Sequence, residues 1–64
     1  MRDMPIVQIE IKQGRQVEQK RKLAEALTQA VVDSIGVKSE SVTVIIREMA
    51  LENHAVAGKL DCDK

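Results

Sequence analysis

The chain of 64 residues contains no Phe, Trp or Tyr, a single cysteine and no net formal charge. Each of these deficits removes a class of function. Without stacking aromatics or an excess of positive charge, no surface can follow a phosphate backbone, so nucleic acid is not an expected partner. One cysteine, Cys62, forms no internal disulfide, and no Cys/His set is present to hold a structural metal. No stretch approaches the roughly 20 apolar residues needed to cross a bilayer, and the amino terminus lacks the apolar centre of a signal peptide. A membrane partner is therefore not expected, and the default location is the cytoplasm.

What is present is aliphatic. Hydrophobic residues make up 44% of the chain and aromatic residues none of it. A lone domain of this size buries only about 60% of the surface that its unfolded chain exposes. Ordering costs about 1.5 kcal/mol per residue, a total similar to what apolar burial returns at about 25 cal/mol per Å². With disulfide and metal excluded, oligomerisation is the remaining means of support, and an assembly larger than a dimer is expected.

From Ile6 to Ile11 the pattern alternates, with Val7, Ile9 and Ile11 on one face and Gln8, Glu10 and Lys12 on the other, which predicts a half-buried strand. Gln13 and Gly14 end it. The spacing then becomes helical over Val17 to Ile35, with Leu23, Leu27, Ala30, Val31 and Ile35 as an apolar stripe, Glu18 and Lys22 as an i,i+4 pair, and Gly36 as the stop. After the polar segment Lys38-Ser39-Glu40-Ser41, the run Val42 to Met49 is β-branched and apolar on both faces, as in a strand covered on two sides. A helix of about 19 residues can run back along a strand of about seven, so the two strands are expected to be parallel, joined by a right-handed crossover. The fold class is α/β, a single β-α-β domain over residues 1–64. Residues 1–4 read as an extension or an alternative start, Ala55-Val56-Ala57-Gly58 as a short strand or hairpin, and residues 61–64 as a frayed tail.

The order Met4-Pro5-Ile6, alternating strand, Gly14-Arg15, Glu18-Gln19-Lys20, long helix, Val44-Ile45-Ile46, Glu48-Met49 and Ala55-Val56-Ala57-Gly58-Lys59 resembles the 4-oxalocrotonate tautomerase family from Met4 to about Leu60. The last run is similar to the small 2-hydroxymuconate tautomerase-like branch. The resemblance implies a homohexamer, a trimer of dimers with a four-stranded sheet in each dimer, acting without cofactor on a small carboxylate. It also implies that Pro5, as an amino-terminal residue, is the catalytic base and that Arg15 binds a substrate carboxylate. Lys12, Thr43, His54 and Val56 fall at possible pocket-lining positions. Two positions depart from the family pattern: a second arginine is replaced by Thr43, and an aromatic wall by His54. Arg47 shares the strand parity of Thr43 but lies about 13 Å further along.

The chemistry implied is proton transfer between an oxygen and a carbon, which needs a base that titrates near neutrality. A proline amine is too basic in water, but apolar burial and a nearby guanidinium both disfavour its charged form. With Thr43 in place of arginine, a hydroxyl, a backbone N–H or water would serve the substrate oxygen. Pro5 also suits the start of an edge strand, where a missing N–H costs little. Arg15 alternatively reads as a solvated residue, although a helix start is an unfavourable place for a cation. His54 reads as a loop or interface residue, and Cys62, between Asp61 and Asp63, as an inert thiol.

Pro5 is a free secondary amine only if the mature chain begins there, after processing at Met4. A chain begun at Met1 keeps its methionine, because Arg2 is too large for the trimming aminopeptidase, and Pro5 is then an amide. The sequence leaves three readings: a tautomerase processed at Met4, a non-catalytic oligomeric member whose extension blocks the proline, or a member that keeps the pocket for hydration or dehalogenation of an unsaturated acid, a reaction for which no residue is a clear water-activating carboxylate.

Overall fold

The computed structural model describes residues 4–63. The expectations about Met1, Arg2 and Asp3 ahead of Met4, and about Lys64 in the tail, lie outside the described residues. Strand β1 spans Ile6–Lys12, helix α1 Val17–Ile35 and strand β2 Thr43–Met49. The strands pair in parallel, from Ile6 opposite Thr43 to Lys12 opposite Met49. The ladder continues past both ends, the Thr43 N–H donating to the Pro5 carbonyl at 3.0 Å and the Gln13 N–H to the Met49 carbonyl at 2.8 Å.

Helix α1 occupies the expected span because both of its ends are marked. Gln16 is extended and its N–H donates to Oε1 of Gln19 at 2.9 Å, satisfying a donor at the helix start. At the other end Gly36 adopts φ 73° and donates to the Val32 carbonyl at 3.0 Å, a left-handed closure that a residue with a Cβ resists.

The helix meets the sheet through Leu23, Ala24, Leu27, Thr28, Val31 and Val32, which are half-buried, whereas Ala30 and Ile35 are exposed. The expected stripe is corrected at those two positions. Ala30 lies on its flank, and Ile35 sits on a last turn that overreaches the strands, since 19 residues of helix run about 28 Å against about 23 Å for seven residues of strand. Glu18 pairs with Arg21, one turn away, rather than with Lys22. Lys20 reaches across from the helix to Glu48 of β2 at 2.7 Å.

Beyond β2, Ala55–Val56 (β3) and Lys59–Leu60 (β4) form an antiparallel hairpin. Its two-residue turn carries φ 55° at Ala57 and 80° at Gly58, the doubly positive conformation of a tight hairpin. The tail expected to fray from Asp61 instead forms a short 3-10 turn, Asp61–Asp63, because the Asp61 side chain is tied to residues of both β1 and the hairpin entrance.

No described residue is fully buried. Opposite the helix, Ile6, Gln8, Glu10 and Lys12 of β1 and Thr43, Ile45 and Arg47 of β2 form an exposed face, so within the single chain β2 is covered on one side. The radius of gyration is 15.1 Å, where a compact domain of this length has about 11 Å. The accessible surface is 5147 Å², against about 4,100 Å² for a compact monomer of this mass. Such an open chain has the form of a subunit.

Candidate active site

The site residues expected from the sequence fall into two groups at opposite ends of the sheet. Pro5 immediately precedes β1, and its carbonyl accepts from the N–H of Thr43, so these two are neighbours. Lys12 closes β1, and Arg15 follows it in the loop to α1. Val56, exposed on β3, and His54, which leads into that strand, belong to the hairpin that packs at the Lys12 end. One strand of seven residues, about 23 Å long, separates the two groups. A small dicarboxylate is too short to touch Pro5 and Arg15 of the same chain.

At the Arg15 end, Arg15 borders a cavity of about 220 Å³ with Ile11, Gln19, Lys20 and Leu23. Lys20 is occupied by Glu48, whereas Arg15 makes no ion pair among the described residues. Its charge is available to an anion, and its planar fork suits a carboxylate bound through two N–H groups.

The same end holds a cluster that the sequence did not reveal. Asp61, with 4% of its side chain exposed, places Oδ2 at 3.0 Å from Lys12 Nζ and 2.7 Å from His54 Nδ1. A carboxylate this buried requires such partners. The Asp61 N–H also donates to the His54 carbonyl at 2.8 Å. The signal was present in the spacing: a hairpin turning at Ala57 and Gly58 pairs Val56 with Lys59 and Ala55 with Leu60, and one step further out pairs His54 with Asp61. His54 lies in the loop that leads into β3, as its sequence reading has it, and Asp61 is its partner there. Among the described residues no group of His, Cys, Asp and Glu is arranged to hold a metal ion, and no helix is long and apolar enough to cross a membrane.

The family model described as tautomerase enzyme matches residues 5–61, from the proline that heads the first strand to the aspartate that follows the hairpin. The chain belongs to the tautomerase family. As a member of this enzyme family it is an enol–keto isomerase. It is 45% identical over 56 residues to 2-hydroxymuconate tautomerase of Bacillus subtilis (strain 168), covering 88% of this chain and 90% of that protein. Its fold is similar to that of YwhB, a homologue of 4-oxalocrotonate tautomerase, with a TM-score of 0.90 and 42% identity over 94% of this chain and 98% of the other. A heterohexameric 4-oxalocrotonate tautomerase from Chloroflexus aurantiacus J-10-fl matches with a TM-score of 0.87 and 32% identity, over 94% and 97% of the two chains. The β-α-β tautomerase architecture expected from the sequence is thus the one observed.

Proposed function

We propose that this chain is a cofactor-independent tautomerase that interconverts the enol and keto forms of a small 2-hydroxymuconate-like dicarboxylate. Pro5, made amino-terminal by processing at Met4, is the general base, and Arg15 of a neighbouring subunit holds a carboxylate. The observation that carries this reading is the strand-length separation of Pro5 from Arg15, two groups that can share a substrate only across an interface. The family match beginning at residue 5 supports Pro5 as the functional start.

Antiparallel pairing of the open β1 edge with that of a second copy would set the Pro5 end of one strand beside the Arg15 end of the other. It would also extend the sheet to four strands and remove an unpaired edge. Packing three such dimers through the exposed face of the sheet would cover Ile6 and Ile45, giving a homohexamer. The Chloroflexus relative, a heterohexamer, supports an assembly of that size. We place the enzyme in the cytoplasm and take residues 5–61 as its working domain.

In the closed site the Pro5 amine would lie among apolar groups and near a guanidinium, both of which lower the pKa of an ammonium. The test is to prepare protein that begins at Pro5 and to follow ketonisation of 2-hydroxymuconate. Activity that Pro5→Ala removes, by about 10³-fold, supports the reading. Equal activity in the two proteins contradicts it, and so does a native intact mass that still includes residues 1–4.

A further inference from the structure

We propose that His54, oriented by Asp61, is a second acid–base group of this site and handles the proton at the substrate oxygen, while Pro5 handles the proton at carbon. The inference rests on the proline reading above and adds to it a residue that stands where the family pattern has an aromatic wall.

The tautomer of His54 follows from its surroundings. Asp61 receives the Lys12 ammonium and is nine-tenths enclosed, so it is held as a carboxylate, which can only accept hydrogen bonds. The 2.7 Å contact from the same oxygen to His54 therefore requires the hydrogen on Nδ1. In the neutral ring that leaves a lone pair on Nε2, which has no hydrogen-bond partner among the described residues. The His54 side chain is 31% exposed while Asp61 is covered. This is the relation of a working base to the carboxylate that orients it.

Position agrees with chemistry. Lys12 fixes Asp61 to the last residue of β1, three residues before Arg15, so the imidazole and the guanidinium stand at the same end of the sheet. On the proposed pairing, a neighbour's Pro5 would come to the end of the sheet that carries both Arg15 and His54. Thr43 stands at the position of the second family arginine, so no guanidinium from that position serves the substrate oxygen.

In the enol-to-keto direction, Nε2 takes the proton of the enol O–H, and the O–H electron pair becomes the carbonyl π bond. The double bonds shift along the chain, and the far carbon takes a proton from the Pro5 ammonium. The imidazolium then loses its proton to water and the proline regains one, so the enzyme returns to its starting state. In the reverse direction neutral Pro5 removes the carbon proton and the imidazolium protonates the oxygen.

Ketonisation of 2-hydroxymuconate by oligomeric protein beginning at Pro5 tests the assignment with four variants. His54→Phe keeps an aromatic ring at the wall and removes both nitrogens, and it is expected to lower kcat about 10²-fold with a much smaller change in KM. His54→Ala is expected to lose as much and to recover part of its rate when free imidazole is added. Asp61→Asn keeps the shape but not the charge that orients the ring, and a loss of about 10-fold in kcat is expected from a partner of this kind. Wild-type kcat in His54→Phe, or no effect of imidazole on His54→Ala, overturns the proposal and leaves His54 as a wall. Pro5→Ala separates the two readings: if it keeps full activity while His54→Phe does not, the proline reading fails and the histidine assignment stands.

Discussion

The two ends of the β1–β2 sheet are built differently. At the Pro5 end the Thr43 N–H bonds the Pro5 carbonyl, no side-chain hydrogen bond or ion pair ties the two strands there among the described residues, and Met4 and Ile6 beside it are 67% and 59% exposed. At the Lys12 end, side chains from β1, α1, β2 and the hairpin are locked together by the Lys12–Asp61–His54 cluster and by Lys20–Glu48. Among the described residues, one end is finished by side-chain contacts and the other is bare. On the reading proposed above, the Lys12 end supplies the groups that hold and orient a substrate and the Pro5 end supplies the base, so each subunit would contribute halves to two different sites.

That contrast can be broken at several points. The largest effect is expected at Arg15: Arg15→Ala removes a charge-assisted contact worth about 1.5–3 kcal/mol, and steady-state kinetics should show kcat/KM reduced about 10- to 100-fold with the fold unchanged by circular dichroism. Next is the exposed sheet face, where Ile45→Asp puts a charge in the surface proposed to meet other subunits. Light scattering should find the hexamer dissociated and activity lost together, because an unpaired charge buried at an interface costs several kcal/mol. A smaller effect belongs to the helix end, where Gly36→Ala forces a Cβ into a left-handed position with φ 73°. Open space around that Cβ means the cost is backbone strain alone, about 1 kcal/mol, read as a lower denaturant midpoint. Smallest is Ala57→Gly, which relieves the φ 55° strain at the hairpin turn and should raise stability by less than about 1 kcal/mol, leaving kcat unaltered.

Much of the finished end was legible in the sequence, and its key contact was not. The alternation of Val7, Ile9 and Ile11 and the Gly36 stop give β1 and α1 their observed limits, because period and capping are local properties. Ala30 and Ile35 were misplaced in the helix stripe, since which turns of a helix rest on a sheet depends on the relative lengths of the two elements. Asp61 reads as part of a frayed tail in the sequence, because its contacts arise from a hairpin register that joins residues seven apart and then reaches back to Lys12. Pro5 and Arg15 were legible through the family pattern. Their separation by the length of β1 appears only in three dimensions, and it is the basis for proposing that they serve different sites.

Subunit mixing tests this directly. Pro5→Ala and Arg15→Ala proteins, both beginning at residue 5, are unfolded together in equal amounts and refolded as mixed oligomers. If every site takes Pro5 from one subunit and Arg15 from another, random assortment in a symmetric oligomer restores about one quarter of wild-type activity from two nearly inactive parents. If mixed oligomers form and no activity returns, Pro5 and Arg15 act from the same chain and the composite site is wrong.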